Sequence, residues 1–359
     1  MDNRVFQNLV EQTKGIVNTE FGIMDDTGSI VVCSNSKKVN KVNEQIGKIL
    51  EFKNQVVKIG RYVYQKIYNK NKVELIVYIE YTDENSITFL SLISLNVANI
   101  KSNYDEKHDR LNFMKNIIMD NIMPGEISVR AKELRIMNNV FRAILLIKTD
   151  KIKDGYAHEI IEGLFPDKLR DTVLILDYET TVLIRELKAQ YEYGEINKTA
   201  MMIINTINTE LMTRAVVGIG SVVENIKDIG RAFKEAQMAL LIGGIFDSDK
   251  PIISYNNLGI GRLIYQLPTT LCKLFLKEVF KEGSFEALDA ETIFTIQKFF
   301  ENNLNVSETS RQLYVHRNTL VYRLDKIQKI TGLDLRLFDD AIIFKVAMLV
   351  KKYLEKERN

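Results

Sequence analysis

V306-S-E-T-S-R-Q-L-Y-V-H-R-N-T-L-V-Y-R-L-D-K-I-Q-K-I-T-G332 reads as two short helices joined by a tight turn. In the second helix Leu320, Leu324 and Ile327 recur at i, i+4 and i+7, the spacing of a buried stripe. Thr319, Tyr322, Arg323 and Lys326 follow the same spacing on another side, and His316, Arg317 and Asn318 open the helix. A DNA reader of the helix-turn-helix type needs this arrangement. The amino end of its second helix enters the major groove, where Arg forks onto guanine and Asn onto adenine. Hydroxyl and basic groups further along reach phosphates. The predicted DNA-binding set is therefore Ser307, His316, Arg317, Asn318, Thr319, Tyr322, Arg323 and Lys326. The competing explanation is an ordinary amphipathic helix with a basic outer side. Against it, residues 316–330 carry four cations and one acid, a net +3, on a chain whose total is +2.

Local signals bound these helices. Ser307 is a candidate N-cap for the first. Gly332 is placed for a left-handed C-cap after the second. A preceding helix is expected across Ile293, Ile296, Phe299 and Phe300, ending in E301-N-N-L-N305. A following one runs from about Leu337 to Leu354, with Ile342, Ile343, Val346, Leu349 and Val350 as its apolar side. Residues 290–359 thus form a small all-α domain.

The string L313-Y-V-H-R-N-T-L-V-Y-R-L-D-K-I-Q-K-I-T-G-L-D-L335 resembles the C-terminal helix-turn-helix signature of the PucR/CdaR family of bacterial transcriptional regulators. Ser310 departs from it, since the family usually has Ala there; Ser is small enough that no change of fold is expected. The resemblance implies a specific transcription factor.

The remaining composition fits a soluble, multidomain α+β chain. At 359 residues there is room for two or three domains. Net charge +2 is too small for general attraction to polyanions, so DNA affinity must come from a local patch. No apolar run approaches the roughly 20 residues of a membrane span, and the start, M-D-N-R-V-F-Q-N, has no signal-peptide core. Cys33 and Cys272 are the only cysteines and are widely separated, which argues against a disulfide framework or a zinc site. These features predict a cytoplasmic protein with no metal and no cofactor.

Residues 1–105 predict a sensor. A helix is expected over Val5–Val17, a hairpin over F21-G-I-M-D-D-T-G-S-I-V-V-C33, and a helix over Lys41–Phe52 with Val42, Ile46, Ile49 and Leu50 inward. Strands follow at Val56–Ile59, Tyr62–Tyr68 and Val73–Tyr81, the last two joined by N69-K-N-K72. This order resembles PAS or GAF sensor domains. F21-G-I-M-D-D-T-G-S-I-V31 is also similar to the start of the sugar-diacid recognition domain of CdaR-type regulators. The His that domain places near Asn43-Glu44 and its Gly-rich ligand loop are missing, so no ligand carries over. Arg61, Tyr62, Tyr64 and Lys66 are candidates to line a pocket for an anionic small-molecule effector; the alternative is the wet side of a half-buried strand.

A helical connector is expected over 106–137. Phe89, Leu92, Ile93, Asn96 and Ile100 form one stripe before it, and Leu111, Met114, Ile118 and Ile122 another. Such a helix is a candidate to pair with its copy in a homodimer or higher homo-oligomer; the alternative is two separate helices that pack on their own domains. Pro124-Gly125 breaks the run, and a short helix follows over Arg130–Met137.

Over 138–267 strands alternate with helices: V140-F-R-A-I-L-L-I147, a hairpin of Thr172–Leu176 and Thr181–Leu187 across D177-Y-E-T180, a helix over Thr199–Met212, strand A215-V-V-G-I-G220, a helix over Ile226–Leu241 and strand Ile252-Ile253. V217-G-I-G220, I229-G-R-A-F-K-E-A-Q-M-A-L240 and Y255-N-N-L-G-I-G-R-L-I264 resemble the degenerate GGDEF-like middle domain of the same family. A cyclase would need a Gly pair and acidic residues on its hairpin to hold Mg²⁺ and phosphates. That hairpin is L176-D-Y-E-T-T-V-L183, and G243-G-I-F246 follows a helix without acids. No P-loop or Rossmann fingerprint occurs. No catalytic residue is therefore expected. Residues 268–289 are expected to be a linker. The functional expectation is a sequence-specific, effector-controlled regulator of a catabolic or metabolic operon that binds double-stranded DNA. The alternatives are a nucleotide- or partner-sensing signalling protein and a nucleoid-type architectural protein.

Overall fold

The computed structural model describes residues 4–69, 72–151, 155–188, 193–280, 285 and 287–357. The chain divides into two compact units, residues 1–110 and 111–359.

The first unit opens with α1 (Arg4–Lys14), then β1 (Phe21–Asp25), β2 (Ile30–Cys33), α2 (Ile46–Glu51), β3 (Val56–Ile59), β4 (Tyr62–Asn69), β5 (Lys72–Glu80) and most of α3 (Asn85–Ile118). The strands form one antiparallel sheet in the order β2-β1-β5-β4-β3. The β1–β2 turn works because Asp25 Oδ1 accepts from the Thr27 and Ser29 amides while Gly28 takes φ +84°. Both faces of the sheet are covered, so the central strand β5 is buried without alternation over Leu75, Ile76, Val77, Tyr78 and Ile79. Phe21, Ile23, Val63, Val77 and Ile79 meet Phe6 and Val10 of α1 and Leu90, Ile93 and Val97 of α3. Met24, Tyr64, Ile76 and Tyr78 meet Ile46 and Ile49 of α2.

Two expectations fail here. The helix foreseen over Lys41–Phe52 shrinks to α2. Residues 40–43 instead hydrogen-bond with the hairpin, Ile30 N to Lys41 O and Asn43 N to Gly28 O, and the Asn43 side chain accepts from the Gln45 amide. Val42 and Leu50 are consequently exposed. On α3 the buried stripe is Leu90, Ile93 and Val97, with Leu92 in water. Residues 70 and 71 of the expected N69–K72 loop lie outside the described residues, although Asn69 and Lys72 pair.

The second unit begins with the last turns of α3 and α4 (Pro124–Glu133). β6 (Asn139–Thr149), α5 (Ala157–Leu164), β7 (Asp171–Ile175), β8 (Thr180–Glu186), α6 (Tyr193–Leu211), β9 (Ala215–Ile219), β10 (Val223–Asn225), α7 (Ile229–Phe246) and β11 (Ile252–Ser254) follow. The sheet order is β11-β9-β6-β8-β7, with β10 also on β6 and β11 parallel to β9. Alternate residues of β6 face two cores. Ile144 and Leu146 join Phe113, Met114, Ile117 and Ile118 of α3 and Ala232, Phe233 and Ala236 of α7. Ala143, Leu145 and Ile147 join Ile161 of α5 and Ala200, Ile203 and Ile207 of α6. The V217-G-I-G220 motif has a packing cause: a Cβ on Gly220 would lie 2.0 Å from the Ala232 carbonyl oxygen, and one on Gly218 would lie 2.5 Å from that of Ala236. Gly218 on β9, Gly220 just past it and the alanines of α7 let helix and sheet touch. α4 starts six residues before the expected Arg130, because Pro124 suits the first position of a helix. α5 has no counterpart in the sequence reading.

The chain then enters α8 (Gly261–Tyr265), α9 (Thr269–Val279), α10 (Ala290–Glu301), α11 (Val306–Gln312), α12 (Arg317–Thr331) and α13 (Phe338–Glu357). The stretch 268–289, foreseen as a linker, contains α9. Cys272 of α9, Ile264 of α8 and Ile245 of α7 share a core with Val350, Tyr353 and Leu354 of α13. The buried side of α13 is Ala341, Phe344, Ala347 and Val350; Ile342 and Ile343, expected inward, are exposed. Among the described residues no helix is long and apolar enough to cross a membrane.

Candidate functional site

α10, α11 and α12 build the helix-turn-helix. Asp289 caps α10 by accepting from the Thr292 amide at 2.8 Å. Asn303 and Leu304 take φ +51° and +62° and turn the chain into α11. The cap of α11 is Asn305, whose side chain accepts from the Glu308 amide at 3.1 Å. This corrects Ser307, which lies inside the helix and is exposed. Ser310 is buried and donates to the Ser307 carbonyl, so the departure from Ala is absorbed locally. Tyr314 makes the turn at φ +56° with its ring 97% exposed. His316 caps α12, its Nδ1 accepting from the Asn318 amide at 3.3 Å. Gly332 ends α12 at φ +82°, as its position predicts. Leu320, Leu324 and Ile327 are buried with Ile296, Phe299 and Phe344.

The predicted set separates into two groups. Arg317, Asn318, Thr319 and Tyr322 are exposed at the start of α12, and among the described residues Arg317 has no ion-pair partner. Arg323 and Lys326 turn toward α10 instead. Arg323 donates to Thr295 Oγ1 at 3.0 Å and to Glu291 at 2.5 Å. Lys326 donates to Asp289 at 3.1 Å. The Asp289 carboxyl is held at about 2, first by its bonds from Thr292 and then by Lys326. Beyond α12, Arg336 ties Asp334 at 2.8 Å and Asp325 at 2.9 Å, and the bond from Arg336 holds the Asp334 carboxyl below its ordinary value. Asp334 is thus an organiser of the α12–α13 loop.

In the first unit, Tyr62, Tyr64 and Lys66 share one face of β4. Tyr64 and Lys66 are buried, which removes the wet-strand alternative for these two. The Lys66 ammonium donates to the Phe52 carbonyl just past α2, and burial lowers its pKa. Among the described residues no carboxylate pairs with it. Tyr64 accepts from Asn43 at 3.3 Å, and burial raises its phenol. Arg61 lies outside this face, exposed and 3.5 Å from Glu80. Sequence reasoning missed Glu20, which accepts from Lys38 and Tyr62. Burial alone would raise that carboxyl, but bonds from Lys38, Asn35 and Tyr62 hold it low. It also missed Tyr78, whose hydroxyl donates to Cys33 Sγ at 3.2 Å. The alternation Ile76, Tyr78 along β5 was the available signal.

Comparison with known proteins agrees with these elements. Residues 293–350 match the PucR C-terminal helix-turn-helix domain, and residues 120–242 match the GGDEF-like domain. The purine catabolism regulatory protein of Bacillus subtilis (strain 168) is 24% identical over 173 residues, which are 47% of this chain and 33% of that protein. The chain therefore spans about a third of that relative. The carbohydrate diacid regulator of Escherichia coli (strain K12) is 21% identical over 100% of this chain and 99% of its own. A solved chain, the regulator of polyketide synthase expression from Bifidobacterium adolescentis, aligns at TM-score 0.34 and 16% identity over 67% of this chain and 91% of its own. The two matched domains, in this order and over these residues, make the chain a member of the PucR/CdaR family.

Proposed function

We propose that this chain is a sequence-specific DNA-binding transcription regulator of a catabolic or metabolic operon, switched by a small-molecule effector and acting in the cytoplasm. The observation that carries the reading is the amino end of α12. Arg317, Asn318 and Thr319 stand exposed on a helix whose opposite side is anchored by Leu320, Leu324 and Ile327. Arg317 and Asn318 read bases, while Ser307, His316, Thr319 and Tyr322 meet the backbone. Lys326 reaches a phosphate by exchanging Asp289 for it, and Arg323 positions α12 on α10.

The first unit is the sensor, of PAS/GAF-like type; its five-stranded antiparallel sheet and the helix between β2 and β3 support this assignment. The Tyr62, Tyr64 and Lys66 face, with Arg61 at its edge, is its effector surface, because a buried ammonium without a carboxylate favours an anion. The GGDEF-like domain turns over no nucleotide: its hairpin turn holds Asp177, Tyr178 and Glu179 in place of a glycine pair. A single helix-turn-helix contacts too little DNA for tight specificity, so two copies act together. Exposed apolar side chains support self-association: Leu263 on α8, Leu271 and Leu274 on α9, and Ile260 and Leu267 beside α8.

The testing experiment is fluorescence anisotropy on duplexes from the chain's own upstream region and on a scrambled control. Strong preference for the native duplex supports the reading. Equal, salt-sensitive binding to both would favour the architectural alternative. A melting shift with a nucleotide, without DNA binding, would favour the nucleotide-sensing alternative.

A further inference from the structure

The β7–β8 pairing sets Asp171 and Arg185 directly opposite each other. Opposite charges in that position ordinarily attract across the strands, yet among the described residues these two form no ion pair with each other. Arg185 donates to Thr199 Oγ1 at 3.2 Å, with its guanidinium 5.0 Å from the Phe165 ring centre. Asp171 keeps a buried carboxylate oxygen with no hydrogen-bond partner. Both line a cavity of about 360 Å³, together with Arg170, Glu186, Lys188 and Glu195. Glu186 is already committed to the buried Arg142 at 2.7 Å. Arg170 pairs with Asp167, also of the lining, at 3.7 Å. What remains around the cavity is two acids, Asp171 and Glu195, and two bases, Arg185 and Lys188, with no ion pair among these four in the described residues.

That mixed set of unpaired charges restricts the occupant. A dianion would face Asp171 and Glu195, a dication would face Arg185 and Lys188, and an apolar molecule would leave both sets unpaired at a desolvation cost. A molecule carrying one charge of each sign satisfies both sets. The volume lies at the small end of ligand pockets. We infer that this cavity in the GGDEF-like domain binds a small zwitterion, an α-amino acid, with its ammonium on Asp171 and its carboxylate on Arg185 and Lys188. Burial already raises the Asp171 carboxyl, a perturbation that an arriving ammonium reverses. The site is separate from the Tyr62, Tyr64 and Lys66 face and involves no covalent step.

The test is calorimetric titration of the full chain with each of the twenty proteinogenic amino acids. Glutarate and putrescine serve as single-sign controls at matched ionic strength. At least one amino acid binds at one per chain, and neither control does. Asp171→Asn and Arg185→Gln each weaken that amino acid by about tenfold or more. The exposed Glu195→Gln and Lys188→Gln weaken it less and serve should either half-buried variant fail to fold. Absence of binding by every amino acid, equal binding of a control, or unchanged affinity in the variants overturns the inference. No DNA is present in this titration, so its failure leaves the DNA-binding reading intact, and the converse holds.

Discussion

Arg323 Nη1 donates to Thr295 Oγ1 at 3.0 Å, linking α12 to the fully buried Thr295 of α10. The neighbouring Lys326 is 44% exposed and pairs with Asp289 at 3.1 Å. The two cations therefore do different work. Arg323→Ala lowers stability by about 1–2 kcal/mol, most of it from the Thr295 bond, since Glu291 is largely solvated. Lys326→Ala leaves stability within about 0.5 kcal/mol and reduces the slope of log K against log salt by about 0.9. Calorimetric melting and salt-titrated DNA binding check both. A stable Arg323→Ala with a reduced slope would reverse the assignment.

Tyr314 occupies the left-handed region at φ +56° with its side chain in water. That conformation costs a non-glycine residue about 1–2 kcal/mol. Tyr314→Asn is expected to hold or raise the melting temperature. Tyr314→Val, whose branched Cβ fits this region worst, is expected to lower stability by about 1 kcal/mol or more. Equal melting of the two variants would show that the turn does not carry this strain.

Gly243 and Gly244 are adjacent on α7 but differ in surroundings. A Cβ on Gly243 would lie 2.2 Å from Ile253 Cδ1, whereas one on Gly244 meets nothing within 4 Å. Gly244→Ala is expected to stabilise by about 0.5–1 kcal/mol through helix propensity. Gly243→Ala is expected to destabilise by about 1–3 kcal/mol through overpacking against β11. Denaturant unfolding of both variants provides the comparison, and a stabilised Gly243→Ala would contradict the packing described.

Asp289 and Asp334 are both more acidic in the fold than an ordinary Asp. The unfolded chain therefore binds more protons between about pH 4 and 2, and stability rises with pH across that window. The contribution is complete above about pH 4 and is lost as pH falls through the folded value, about 2 for Asp289. Asp289→Asn is expected to melt below wild type at pH 6 and to converge with it near pH 2. A constant gap in melting temperature from pH 6 to 2 would contradict this.

Where the residues carry their own periodicity, the sequence was legible. Leu320, Leu324, Ile327 and Gly332 fall where their spacing puts them, as do β1–β2 and β7–β8. The errors arise where tertiary partners override a local pattern. Val42 carries an apolar side chain, but its backbone pairs with Ser29 rather than continuing a helix. Ser307 has good capping chemistry, but Asn305 stands two residues earlier at the actual start. Spacing put Arg323 and Lys326 on one face of α12 but not what meets that face; Thr295, Glu291 and Asp289 do. The Asp171–Arg185 relationship depends on strand register, which no single strand encodes.

The central claim is that the exposed amino end of α12 reads DNA sequence. The most direct measurement is anisotropy binding of wild type and Arg317→Ala to the upstream duplex and to its scrambled control at near-physiological salt. The account predicts a wild-type preference of about a thousandfold or more. It also predicts a loss of about 1–3 kcal/mol on the native duplex in Arg317→Ala, with melting unchanged because the side chain is exposed. Unchanged affinity and preference in a folded Arg317→Ala would contradict it.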